Sequence, residues 1–231
     1  MDKEMTRKDT LGVIVAMSSE MEMLLKEMRQ VEKTEANGFT FCRGLIGNRE
    51  VVAMQCGIGK VNAAVGAITL IERFSPSAVV NTGIAGGTGR GAGILDVVIG
   101  RQVGYHDVYC GPGNAPGQVQ GMPVLFDCAL DRFGISEDTP GVKIGLIASG
   151  DRFVSTTDDL SSVLAIQPQA IAVDMESGAI AQVCHIKGVP FLAIRVVSDT
   201  PGAENHVEQY LDFWNVAPER AFAALRPLLG A

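Results

Sequence analysis

Ala170–Thr200 reads AIAVDMESGAIAQVCHIKGVPFLAIRVVSDT, and its two apolar runs decide the fold. Ile171–Val173 has the character of a buried strand. Glu176 follows, and Ala179, Ile180, Val183 and Cys184 recur at helical spacing as far as Lys187-Gly188, where a glycine suits a helix end. Pro190 bars continuation of the helix, and Phe191–Val197 is a second near-continuous apolar run that ends at Asp199. The pattern predicts a strand–helix–strand unit whose strands are buried in a parallel sheet. A right-handed crossover brings both strand ends to one edge, where open α/β sheets bind their ligands. Glu176 and Asp199 are therefore expected together.

Towards the N-terminus, Leu11–Met17 is a further strand, and the Ser18-Ser19 hydroxyls are expected to cap the helix after it. Glu20 lies in that helix's first turn. It reads either as a capping carboxylate at the helix dipole or as a third acid on the ligand edge. Phe39–Ile46 and Val51–Cys56 flank Gly47-Asn48 and predict a hairpin. Gly57-Ile58-Gly59-Lys60 then opens a helix over Val61–Phe74, but its spacing is not that of a phosphate loop. Ala78–Asn81 is a strand that empties into Thr82-Gly83-Ile84-Ala85-Gly86-Gly87, glycines suited to a close backbone approach or to a tight turn. No dinucleotide fingerprint follows.

Beyond it the sequence predicts a strand over Ile94–Val103, a long surface loop over Gly104–Gly121, a helix over Val124–Phe133 and a strand over Val142–Ala148. Ser149–Val154 leaves that strand at the ligand edge. Helices are expected over Thr157–Ile166 and over His206–Leu229, the latter kinked at Pro218.

Among 231 residues 47% are hydrophobic, enough for a sizeable core, and no linker composition divides the chain, so one domain over 1–231 is expected. Nineteen Lys and Arg against 26 Asp and Glu give a net charge of −7, which argues against nucleic acid as a partner. The N-terminal apolar run is too short to span a membrane and lacks a cleavage site behind it. Five cysteines without a C-x-x-C pair fit reduced thiols in a cytoplasm. His106, His185 and His206 form no zinc motif and no serine stands in a nucleophile elbow, so neither metal nor cofactor is expected. Carboxylates are left to carry the chemistry.

Several separated motifs now combine: Ala16-Met17 with Glu20, Gly57-Ile58-Gly59-Lys60-Val61, Asn81-Thr82-Gly83 with Ala85-Gly86-Gly87, Tyr105-His106-Asp107, Ser149-Gly150-Asp151 with Phe153, and Met175-Glu176 through Ser198-Asp199. In this order and spacing the chain resembles the bacterial 5′-methylthioadenosine/S-adenosylhomocysteine nucleosidases, in a superfamily that includes purine nucleoside and uridine phosphorylases and futalosine hydrolase. The resemblance implies a nucleoside phosphorylase-like α/β fold: three layers, α/β/α, around a twisted mixed sheet, usually in a homodimer. It implies a nucleoside and water as reactants, with Asp199 protonating adenine N7 and Glu20 acting as general base on water. It further implies that Glu176 binds the ribose diol, Phe153 stacks on the base, the Val154 backbone reads the base edge, and Met17, Ile58 and Met175 line the ribose and thioether side. Two departures stand out. Ile84 takes the place of a usual Ser, and Val108–Gln120 lacks the usual aromatics of the 5′ side, so looser discrimination there is expected. The phosphorylases' Gly-Asp-Pro-Gly-Arg segment is replaced by Met17-Ser18-Ser19-Glu20, which favours hydrolysis.

Overall fold

The computed structural model describes residues 10–202 and Phe213. Apart from Phe213, the helix expected over His206–Leu229 lies outside the described residues. Among the described residues 10–202, ten strands and four α-helices follow one another as β1 (Leu11–Val15), α1 (Ser18–Glu27), β2 (Arg29–Ala36), β3 (Phe39–Ile46), β4 (Arg49–Gln55), α2 (Lys60–Phe74) and β5 (Ala78–Gly87), then β6 (Val97–Tyr105), β7 (Leu125–Asp127), β8 (Val142–Ser149), α3 (Thr157–Ile166), β9 (Ala170–Asp174), α4 (Ser177–Lys187) and β10 (Phe191–Asp199).

β5 is the hub of a mixed sheet. It runs parallel to β1 on one side and to β10 on the other, while its last residues pair antiparallel with β9. β10 pairs antiparallel with β6, and β6, β8 and β9 are mutually parallel neighbours, so β5–β10–β6–β8–β9 closes into a ring. β4, β3 and β2 extend the sheet from β1 as an outer wing. The expected parallel pairing of the two strands around α4 is thereby corrected: β9 and β10 are not neighbours and run in opposite senses around the ring. A near-continuous apolar run reports burial on both faces and not strand direction, which is why the pattern misled.

Helices lie on both faces. Ala63, Ala67 and Leu70 of α2 pack with Ala179, Ile180 and Cys184 of α4 in one core layer, and Met21 and Leu24 of α1 fill the other. α4 ends on Gly188 in the left-handed region at φ 62°, as its Lys187-Gly188 signal requires.

The structure adds four details to the sequence reading, the first of them a correction. Val124–Phe133 is not one helix, because Leu125–Asp127 adds a strand to β6 and only Leu130–Phe133 forms a 3₁₀ turn. β2, polar except for Val31 and Ala36, is a largely exposed edge strand that no apolar period announces. The glycine run after Asn81 is not a turn but the continuation of β5. Finally, the loop after β6 is internally tied: Gly117 N donates to Val108 O, Gln118 Nε2 to Met122 O, and Gln167 Nε2 to Tyr105 O. Val108, Val119 and Met122 reach the core, so this segment packs by itself.

Candidate active site

Gly86 is where the site is assembled. It lies opposite Asp199 of β10 on one side and opposite Val173 of β9 on the other, so the ends of these two strands converge across it. β1, beside β5, delivers Met17 and Glu20 from its own end. One pocket results. Met17, Glu20, Ile58, Phe153, Val154, Met175, Glu176 and Asp199, all eight residues singled out from the sequence, line it.

Glu20 satisfies both readings of its position. The Ser18 and Ser19 side chains do not cap α1. Glu20 Oε2 instead accepts the backbone N–H groups of Ala16 and Met17 at 2.9 and 3.0 Å, and Oε1 accepts that of Ile84 at 3.2 Å. A Cβ on Gly83 would fall 2.5 Å from Glu20 Oε1, so any larger residue there would displace the carboxylate from its amides. Burial raises the Glu20 carboxyl above its ordinary range, against the three amides and the Arg195 charge that oppose it. A buried carboxylate of raised basicity, held at fixed orientation, is suited to taking a proton from water.

Glu176 precedes α4 and is buried; its Oε1 accepts the Gly59 N–H at 2.8 Å. Burial, reinforced by the neighbouring Asp174 charge, pushes its pKa up to about 7. Asp199 is buried at the end of β10, and its Oδ1 accepts the Ser198 hydroxyl at 2.5 Å, a hydroxyl that also lies 3.3 Å from Ala85 O. Beneath these acids lies a buried charge pair. Arg195 Nε donates to Asp174 Oδ2 at 2.9 Å, while its other nitrogens donate to Asn81 O and Ile194 O and to the Asn81 side chain. Ser177 in turn donates from N and Oγ to Asp174 Oδ1.

Arg195, Asp174 and Arg152 were not among the residues the sequence pointed to. A signal existed for the first: an arginine within FLAIRVV has to find a partner when its strand is buried. Arg152 sits at the pocket rim and pairs with Asp159, the capping carboxylate of α3.

The opposite wall is apolar. Phe153 and Ile58 remain 54% and 55% exposed at the mouth and present apolar surface to anything that enters. Ile84 lines the pocket, and its side chain packs towards Val196 and Phe213.

The phosphorylase superfamily model matches residues 10–230. The chain belongs to that superfamily. Among its relatives, the 5′-methylthioadenosine/S-adenosylhomocysteine nucleosidase of Aeromonas salmonicida is 35% identical over 227 residues, 95% of this chain and 98% of that one. The nucleosidase of the same name from Bacillus cereus is 39% identical over 211 residues, covering 87% and 91% of the two chains. Superfamily structures agree. The Neisseria meningitidis nucleosidase in complex with methylthio-immucillin-A superposes with a TM-score of 0.87 at 35% identity, covering 96% of this chain and 98% of that one. The Colwellia psychrerythraea nucleosidase in complex with adenine gives 0.88 at 34% identity, covering 96% and 95%.

Proposed function

We propose that this chain hydrolyses the N-glycosidic bond of 5′-methylthioadenosine and S-adenosylhomocysteine, releasing adenine and the 5-thioribose derivative. The observation that carries the proposal is the convergence of Glu20, Glu176 and Asp199, three buried acids from separate strand ends, on one pocket with an apolar wall. Asp199 transfers its proton to N7 as the C1′–N9 bond breaks and the bonding pair withdraws into the purine, so the base leaves neutral. Glu20 takes a proton from the water whose oxygen bonds to C1′ of the oxocarbenium-like ribosyl centre. The division of labour parallels that of glycosidases. Phe153 stacks on the base, the Val154 backbone reads its edge, and Met17, Ile58 and Met175 enclose the ribose and thioether. Water is the acceptor because Glu20 already saturates the amides of Ala16, Met17 and Ile84 that would otherwise cradle a phosphate.

Glu176 holds the 2′- and 3′-hydroxyls. Glu176→Gln weakens both ribose binding and rate by about tenfold, the worth of a hydrogen bond to a charged acceptor. A 2′,3′-dideoxy substrate is nearly indifferent to it. A large residual effect on that substrate contradicts the diol role. Because the free carboxyl titrates at about 7 and hydroxyl donors favour its ionised form, ligand binding releases a proton below that pH. Affinity therefore rises as pH climbs towards 7 and then levels. Calorimetry in buffers of different ionisation enthalpy reads the proton, and uptake instead of release contradicts the assignment. The sign for stability is opposite. Between the ordinary 4.5 and about 7 the folded chain keeps a proton that the unfolded chain gives up, so this group's contribution falls as pH rises.

We further infer a cytoplasmic homodimer. All five cysteines are free, and none of the described helices is long and apolar enough to cross a membrane. Val61, Val65 and Ile186, on adjoining α2 and α4, are 73%, 42% and 57% exposed and continue from Ile58 at the pocket mouth. A second copy covering this stripe would bring apolar residues to the 5′ side, with Tyr109 and Pro112 the candidates, since Val119 packs inward. Comparing kcat/KM for methylthioadenosine, S-adenosylhomocysteine, adenosine and futalosine tests the substrate assignment, with the two thioethers expected first. A preference for adenosine or futalosine overturns it. A fully active monomer overturns the trans completion of the pocket.

A further inference from the structure

Two motifs, Tyr105-His106-Asp107 and Ser149-Gly150-Asp151, supply none of the eight pocket residues, yet the structure ties them to the ribose carboxylate. α2 starts without a cap of its own, because its N-cap residue is Gly59 at φ 93°. Asp151, from the loop after β8, provides one across the fold: Lys60 N donates to Asp151 Oδ1 at 2.7 Å. The positive φ of Gly59 favours glycine, and a Cβ there would lie 3.0 Å from Asp151 Oδ1, tight enough to push that carboxylate away. Asp107 locks the arrangement. Its Oδ2 accepts both Lys60 Nζ and Asp151 N at 2.8 Å, closing a ring of three segments. The lysine ammonium also lies 5.3 Å from the Tyr105 ring centroid. Gly150 seats the loop directly on the His106 imidazole, where a Cβ would fall 2.6 Å from Nε2.

The consequence runs through Gly59. Its N–H donates to Glu176 Oε1, one residue before the N–H that Asp151 holds. We propose that Asp151 is a positioning residue for ribose recognition: by capping α2 from the base-binding loop it fixes the Gly59 N–H on Glu176 and so aims that carboxylate at the diol. The same loop continues into Phe153 and Val154, so the base wall and the ribose clamp share one anchor. A carboxylate oxygen satisfied on one side by a fixed amide has its remaining lone pairs directed into the pocket, which is what a pair of vicinal hydroxyls requires. The inference rests on the ribose-binding role proposed above for Glu176.

The test compares a ribonucleoside substrate with its 2′,3′-dideoxy counterpart in wild type, Asp151→Ala, Asp151→Asn, Glu176→Gln and the Asp151→Ala/Glu176→Gln double variant. Asp151→Ala is expected to reduce the ribo-over-dideoxy ratio in kcat/KM about tenfold, chiefly through KM, because one hydrogen bond to a charged group is misaligned. Asp151→Asn, which keeps an acceptor for Lys60 N, restores most of the ratio. The double variant is no less discriminating than Glu176→Gln alone, since both lose the same clamp. Should the alanine chain fail to fold, Asp107→Asn loosens the same ring and is expected to move the ratio in the same direction by a smaller factor. Equal losses on both substrates, or additive losses in the double variant, overturn the proposal. A wild type that does not prefer the diol overturns the Glu176 assignment and this inference with it; a preference that Asp151→Ala leaves intact overturns this inference alone.

Discussion

Asp199→Asn releases adenine about 10²–10⁴-fold more slowly than wild type, the usual contribution of a positioned general acid. The variant is a sharp one. Asn retains the shape of Asp and an oxygen able to accept the Ser198 hydroxyl, so the 2.5 Å contact and the end of β10 are preserved. It cannot deliver a proton to N7, and the purine would have to leave as an anion. Binding of a non-hydrolysable nucleoside analogue and the melting temperature therefore change little while kcat collapses. Adenine release near the wild-type rate would remove Asp199 as the acid.

Glu20→Gln is expected to lose a comparable factor in kcat, but with a different signature. Glu20 accepts three backbone N–H groups on its two oxygens, two on Oε2 and one on Oε1. A glutamine keeps one acceptor oxygen and turns its NH₂ towards a donor, most economically that of Ile84. One buried donor is left unsatisfied, which costs about 1–3 kcal/mol of stability. Turnover falls by about 10²–10⁴-fold because the water is no longer deprotonated. Affinity for a ground-state analogue falls far less, since the base acts mainly in the transition state. If analogue affinity dropped as steeply as kcat, Glu20 would be a binding residue.

The three acids were legible because they sit at the ends of strands whose apolar runs are easy to see, whereas Met17, Ile58 and Met175 came only from the family resemblance. Met17 and Glu20 follow β1, Phe153 and Val154 follow β8, Met175 and Glu176 follow β9, and Asp199 ends β10. What stayed hidden was how those strands are joined. The ring in which β10 opposes β6 and β5 crosses onto β9 depends on pairings between residues far apart in sequence, and Gly86, its junction, looks like any turn glycine. β2 escaped notice because an edge strand with both faces wet carries no apolar alternation. The charge pair of Arg195 and Asp174 is a third case. An arginine within an apolar run announces that a partner is needed, but only the fold shows that the partner is Asp174 and that both are almost fully buried, at 2% and 1% side-chain exposure. Gly104–Gly121 read simply as a surface loop because its ties, glutamine side chains on backbone carbonyls and scattered apolar residues such as Val108 and Val119, follow no hydrophobic period.

The proposed function makes water, activated by Glu20, and not phosphate the nucleophile at C1′, and the fate of the ribosyl centre reads this out most directly. Purified protein is mixed with methylthioadenosine, with and without inorganic phosphate, and both free adenine and the sugar product are followed. Adenine appearing at the same rate in both mixtures, with methylthioribose as the only sugar, is the result predicted. Adenine release that requires phosphate and yields methylthioribose 1-phosphate would contradict it.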